Sequence, residues 1–252
     1  MTDLNVPTVS LPAELAALAD RYHAASHTGI QLLNLLGGQA DSLVNKLPDG
    51  VKTGLEEATH GALKVAYHTA HHSRGVVKDQ RPWLNTAFAT AMGAAGGVGG
   101  LPSALAELPV TTTVLMRAIQ AVATEHGFDT TEADTLRECL VVFAAAGPMT
   151  TDDNADLGFI TARLALTGAT VQRAISLVAP RLAIVLGQKL ATQAVPVIGA
   201  AAGAAVNYAF TSYYQQIAHV HFGLLALARR NGVPAEQVMQ DFRKFVTNLE
   251  TN

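Results

Sequence analysis

Charged residues are scarce in this chain of 252 residues, where they make up 15% of the sequence against about a quarter in ordinary soluble domains. Hydrophobic residues make up 49%. This composition excludes a disordered chain, which is rich in charge and poor in apolar residues. It also predicts that part of the folded surface is apolar, because the ionised groups are too few to cover it.

Cysteine and basic clusters are also scarce. Cys139 is the single cysteine, so no internal disulfide can form and a reducing compartment is indicated. The net charge is −3 and lysine and arginine do not cluster, which predicts no nucleic-acid partner. The residues after Met1 lack the basic and apolar regions of a signal peptide. We therefore expect a cytoplasmic location, with docking at the inner face of the cell membrane as an alternative.

Long hydrophobic runs are absent from the sequence. Residues 82–106 and 190–228 carry no formal charge, but polar residues interrupt both stretches. The run of apolar or small residues from Ala194 to Val206 contains 13 residues, whereas a membrane span needs about 20. The sequence therefore favours buried helices or association with a membrane surface over a transmembrane span.

Apolar residues recur with the helical period of 3.6, and no series of alternating strands is found. This pattern predicts an all-α protein, a single globular bundle of about nine helices. Two short helical faces precede Gly37. The other helices are predicted at 51–72, 81–95, 111–125, 131–146, 153–167, 171–194 with an interruption at Pro180, 199–230 and 236–249.

Glycines spaced four residues apart predict helical hairpins that pack closely, because a face without side chains lets two backbones approach. The pairs are Gly93 with Gly97, Gly96 with Gly100, and Gly199 with Gly203. Residues 1–80 contain N-terminal helices and a histidine-rich segment, Tyr67 to His72. Residues 81–252 form the helical core. We expect the two parts to form one continuous domain.

The charges segregate along the chain. Residues 107–156 contain nine acids and two bases, whereas residues 157–230 contain six bases and no acid. Neighbouring helices that exchange these charges would explain the pattern. A basic face that docks on anionic lipid is the alternative interpretation.

Isolated polar residues inside the apolar helices are the candidate ligand-binding residues: Glu107, Arg117, Glu138, Asn207 and His219. Buried charges must pair or change their pKa values. We therefore expect a buried ion network of Glu107, Arg117 and Glu138, with His219 near it. Such a network either fixes the register of the helices or forms the polar floor of an apolar ligand pocket.

A metal site is the alternative suggested by the histidine-rich segment. Glu57 and His60 have the i, i+3 spacing by which helical bundles present a carboxylate and an imidazole to one metal ion. Few further inward-facing glutamates are available to complete such a site, and surface histidines are the simpler interpretation. We expect no cofactor.

Three blocks of sequence resemble the EcsC family: GGVGGLPSALAELPVTTTVLMRAIQAVATEHGFD at 96–129, TEADTLRECLVVFAAAG at 131–147, and VPVIGAAAGAAVNYAFTSYYQQIAHVHF at 195–222. The resemblance extends over about Arg81 to Gly232. It implies a helical protein, poor in charge, that works close to a membrane. It implies no reaction, and nothing about metal transfers to the histidine-rich segment, which lies outside the blocks.

The leading hypothesis is therefore a non-catalytic helical protein that binds a lipid, an acyl chain or another apolar small molecule, or that docks peripherally on the membrane surface. A metal-dependent enzyme that uses Glu57 and His60 is one alternative. A homo-oligomer whose apolar surface is only a subunit interface is another.

Overall fold

The computed structural model describes residues 11–35, 49–73, 108–145, 147, 157–166, 168–193 and 200–250. In this part of the chain the protein forms eight α-helices and no strand. They are α1 (Leu11–Leu35), α2 (Asp49–Ser73), α3 (Leu108–Glu125), α4 (Ala133–Val142), α5 (Gly158–Ala165), α6 (Val171–Gln193), α7 (Ala200–Asn231) and α8 (Ala235–Glu250). The prediction of an all-α protein is confirmed.

The helix boundaries follow local sequence signals. Helix α3 has Pro109 in its first turn, where a missing N–H costs no hydrogen bond. The helix ends at Glu125, and the chain turns away at Gly127, whose φ of +76° is unfavourable for residues with a side chain. The Phe128 N–H donates to the Ala123 carbonyl at 3.0 Å, which completes a Schellman motif. Gly232 ends α7 in the same way.

Some predicted elements differ from the structure. The two short N-terminal helices are one continuous helix, α1, which packs along α7. The interruption predicted at Pro180 is wrong, since α6 continues through this residue. Helix α4 is shorter than the predicted 131–146, since its chain continues after Val142 as a tighter turn with i to i−3 hydrogen bonds. The predicted helix at 81–95 and the pairs Gly93–Gly97 and Gly96–Gly100 lie outside the described residues, as does Gly199.

Helices α3 and α7 form the centre of the packing. Helix α3 contacts α2, α4 and α7, and α7 contacts α1, α3, α4 and α8. Between Leu108 and Thr124 the only charged residue of α3 is Arg117, so nearly every face of this helix is apolar and buried. Helices α1 and α2, which belong to the predicted segment 1–80, therefore pack directly on helices of the segment 81–252.

Small residues bring pairs of helices together. A Cβ atom added at Gly223 of α7 would lie 2.7 Å from Leu18 Cδ2 of α1, and one added at Gly187 of α6 would lie 2.8 Å from Leu55 Cδ2 of α2. Each leucine thus occupies the space that a side chain would need. Close packing at glycine is present in this fold, at positions that the four-residue spacing did not indicate.

Candidate functional site

A network of charged residues joins four helices in the interior. One carboxylate oxygen of Glu138, in α4, forms an ion pair with Arg163 Nε of α5 at 2.6 Å. The other oxygen lies 2.9 Å from His221 Nε2 of α7. Arg163 Nη1 also lies 3.5 Å from Glu236 Oε1 of α8. Because each carboxylate oxygen of Glu138 has its own partner, this network ties α4, α5, α7 and α8 to one another.

His221 is the most buried member of this network, with no exposed surface. The rings of Phe159 and Phe222 pack against it edge-on. Its Nδ1 atom has no hydrogen-bond partner among the described residues. A neutral His221 therefore carries its proton on Nε2 and donates it to Glu138. This carboxylate–imidazole pair resembles those of general bases, but the imidazole has no exposed surface from which to reach a substrate.

A second polar cluster lies between α1, α3 and α7. His126 lies in the turn that follows α3, and His219 lies in α7. A hydrogen bond of 3.1 Å joins Nε2 of His126 to Nδ1 of His219. The Glu125 carboxylate lies 3.8 Å from the other ring nitrogen of His219. Arg21 of α1 donates to Gln216 Oε1 beside this pair.

Both histidines of this pair, His126 and His219, are biased toward the neutral form. Burial, and then the charge of Arg21, lower the pKa of His219 to about 4. Burial, followed by Arg21 and Arg230, also lowers the pKa of His126. At neutral pH the pair is therefore two neutral imidazoles that share one proton between the facing nitrogens.

The structure places the predicted ligand-binding residues in separate environments. Glu138 belongs to the four-helix network, and His219 to the histidine pair. Arg117 is half-buried in α3, and Asn207 is buried in α7. Glu107 lies outside the described residues.

The predicted network is wrong where it concerns Glu138 and His219, whereas the pairing of Arg117 with Glu107, which lies outside the described residues, stays a prediction. Glu138 pairs with Arg163 and His221 rather than with Arg117. His219 does not face Glu138, because residues two apart on a helix point about 200° apart. It is His221 that occupies the face of α7 toward α4.

Three residues that matter here were missed by sequence reasoning: Arg163, His221 and His126. The helical period carried the signal for His221, since Ile217 and Tyr214 at i−4 and i−7 place it on a buried face of α7. No local pattern indicates Arg163 or His126, because their partners lie at least 25 residues away in the sequence.

Among the described residues, no further metal ligands are grouped with Glu57 and His60. Glu57 is exposed on α2, and His60 Nε2 lies 3.4 Å from Gln172 Nε2 of α6. Within the described ranges, no three His, Cys, Asp or Glu side chains are grouped so that they could hold a metal ion together. The metal reading of these two residues stays a prediction that elemental analysis would decide.

Helix α6 carries a stripe of apolar and basic residues on its exposed side, which we call the α6 stripe: Arg173, Leu177, Pro180, Arg181 and Ile184. With 100° of rotation per residue, these positions fall within about 100° of one another around the helix. The exposed fractions of Leu177 and Ile184 are 38% and 61%. Helix α6 contains no acidic residue.

The same helix has the length and composition of a membrane span over Val171–Ala191, with a mean hydropathy of 1.4. However, 72% of this window is buried inside the protein. Buried core helices commonly pass such a test, so it gives little support for a span. This window is not one of the two uncharged stretches, 82–106 and 190–228, that the sequence analysis considered.

The model of one protein family matches the chain: that of the EcsC protein family, over residues 40–224. The match begins well before Arg81, where the resemblance of the sequence blocks began. It therefore includes the histidine-rich segment. Neither the curated proteins nor the solved structures contain a significant match.

Proposed function

The chain belongs to the EcsC protein family, and we propose that this helical protein docks peripherally on an anionic lipid bilayer through the α6 stripe. The observation that carries the proposal is that Leu177 and Ile184 are exposed on the same side of the helix as Arg173 and Arg181, and that this helix contains no acidic residue. Apolar and basic side chains on one exposed helix face are typical of surfaces that bind the membrane interface.

The charge of the surrounding sequence supports an anionic partner. Residues 157–230 contain six bases and no acid, and two of the bases, Arg173 and Arg181, are exposed on α6. Arg181 donates to the carbonyl of Ala144, which anchors its guanidinium beside the stripe. An anionic leaflet attracts such a surface, and the cytoplasmic leaflet of a cell membrane has this charge. The proposal therefore includes a cytoplasmic location.

The expected strength follows from the exposed surface. The exposed parts of Leu177 and Ile184 together amount to about one full side chain, whose burial contributes about 1.5–3 kcal/mol. Each arginine near an anionic surface adds about 1 kcal/mol. Because these contributions are small, the stripe alone supports weak, reversible binding that depends on anionic lipid.

One groove among the described residues suits an apolar ligand poorly. A surface groove beside α8 is lined by Arg243, Lys244, Thr247 and Asn248, all of them polar. Such a lining offers an acyl chain little apolar contact. Large side chains such as Phe143, Phe210 and Tyr214 are buried among the described helices.

Co-sedimentation with lipid vesicles tests the proposal. Wild-type protein is compared on vesicles of phosphatidylcholine alone and of phosphatidylcholine with about a quarter phosphatidylglycerol. We expect binding to the anionic vesicles, a loss of at least tenfold in Ile184→Asp, and a smaller loss in Arg173→Gln.

Two variants serve as matched controls. Val65→Asp places the same charge at another exposed apolar position, on α2, and Arg243→Gln removes an exposed arginine from α8. Both should bind like the wild type. Equal binding by Ile184→Asp and Val65→Asp would contradict the proposal. A molecular mass that falls to that of one chain only in Ile184→Asp would identify the stripe as a subunit interface instead.

A further inference from the structure

Two imidazole nitrogens face each other across the junction of α3 and α7. His126 Nε2 and His219 Nδ1 are 3.1 Å apart. A tetrahedral zinc ion holds its nitrogen ligands at about 2.0–2.1 Å, which places two of them about 3.3 Å from each other. We propose that His126 and His219 form a binding site for Zn²⁺ or another divalent transition metal that prefers imidazole ligands.

The protonation state of the pair suits a metal ion. Neutral imidazole is the form that binds metals, and both rings favour it at neutral pH. In the metal-free protein one proton lies between the facing nitrogens. When a metal ion replaces it, that proton moves to the outer nitrogen of the ring that carried it, so each ring remains neutral and no proton is released.

The charges around the pair act in both directions. Arg21 and Arg230 oppose a cation, although Arg230 is itself paired with Glu14. Glu125 favours the cation: its carboxylate lies 3.8 Å from His219 Nε2, the nitrogen that faces away from His126. At 3.8 Å this carboxylate acts through its charge and not through a hydrogen bond to the ring.

Contacts with the backbone hold the turn that carries His126 in place before any metal binds. Arg229 donates to the carbonyls of His126 and Gly127, which fixes the turn after α3. Gly223 of α7 lies beside the His126 ring, whose Cε1 is 3.7 Å from where a Cβ at this glycine would be. A site whose ligands are already positioned pays little entropy on binding.

Two protein ligands leave coordination positions for water, since the described residues offer no third histidine, cysteine or carboxylate to the group. His219 keeps about a fifth of its side chain exposed, so solvent and ions reach the pair. The site is thus an open and exchangeable one, unlike the closed four-ligand sites that fold small zinc domains.

Calorimetric titration of the metal-free, untagged full chain with Zn²⁺ at pH 7.5 tests the proposal. The wild type should bind Zn²⁺ at one site that is stronger than the background of surface histidines. His126→Gln and His219→Gln should each weaken this site at least tenfold, and the double variant should weaken it no further. The control variants His60→Gln and His23→Gln, on α2 and α1, should leave it unchanged.

Nitrogen NMR of the imidazoles in wild-type protein gives a second measurement that needs no variant. Saturating Zn²⁺ should shift the resonances of His126 Nε2 and His219 Nδ1. Unchanged affinity in both glutamine variants would overturn the proposal. Resonances of the pair that do not move when Zn²⁺ is added would overturn it as well, even if the variants fail to fold.

Discussion

Removal of Arg163 should destabilise the protein strongly, because the network it belongs to is almost enclosed. The exposed fractions of the Arg163 and Glu138 side chains are 15% and 13%. In Arg163→Met, Glu138 keeps His221 as a partner but loses its cation, and Glu236 loses its contact. A charge left buried without its partner costs about 3–5 kcal/mol, and the residual exposure of this pair places the cost near 3 kcal/mol.

Urea unfolding monitored by circular dichroism measures this cost. For a protein of this length, a loss of about 3 kcal/mol corresponds to a fall in Tm of about 6–12 °C. Arg243→Met is the matched control, since Arg243 is exposed on α8, and it should change the free energy of unfolding by less than about 0.5 kcal/mol.

The pairwise contribution comes from a double-mutant cycle. Glu138→Gln keeps a hydrogen-bonding group for His221 while it removes the charge, so Arg163→Met and Glu138→Gln together should cost less than the two separately. The reasoning would be refuted if Arg163→Met unfolds at the same urea concentration as Arg243→Met, or if the costs in the cycle simply add.

Further predictions concern glycine packing and pH. A Cβ at Gly158 would lie 2.7 Å from the Ala144 carbonyl oxygen, so Gly158→Ala should lower the free energy of unfolding in urea by about 1–3 kcal/mol. A Cβ at Gly61 of α2 would meet nothing within 4 Å, so Gly61→Ala should stabilise the protein by up to about 1 kcal/mol. Destabilisation by both substitutions would refute the packing argument. The pKa of His219 is lower in the folded state than in the unfolded state, so its contribution to stability is present above pH 6.5 and is lost as the pH falls toward about 4. In EDTA this loss should be about 1–2 kcal/mol after allowance for solvent screening, and it should be absent from His219→Gln; equal pH dependence of the two proteins would show that His219 is not responsible.

The helices could be predicted from the sequence because their signals are local. The apolar period and the glycine stops place α3, α6, α7 and α8 within three residues of their predicted ends. The single α1 shows the limit of this approach. Whether two apolar faces belong to one helix depends on the partner they pack on, which here is α7.

The site could be predicted only by residue type. Composition identified Glu138 and His219 as unusual polar residues in apolar helices, and both have polar partners in the structure. Their partners could not be named, because the contacts join helices 25 to 93 residues apart in the chain. The choice between His219 and His221 depends on which face of α7 meets α4, and composition carries no information about that orientation.

Surface docking explains the composition of α6 better than a span does. If residues 171–191 crossed a bilayer, Arg181 would lie at the centre, where an arginine costs about 2.5–3.5 kcal/mol. The helix would also lose its contacts with α2 and α4, and Lys189 would lose its 3.3 Å hydrogen bond to Thr111 of α3. On the folded surface, Arg181 stays exposed and keeps its hydrogen bond to the Ala144 carbonyl, while residues 185–191 stay in the core. The two halves of this helix therefore meet different requirements, since one completes the core and the other leaves an apolar and basic surface exposed.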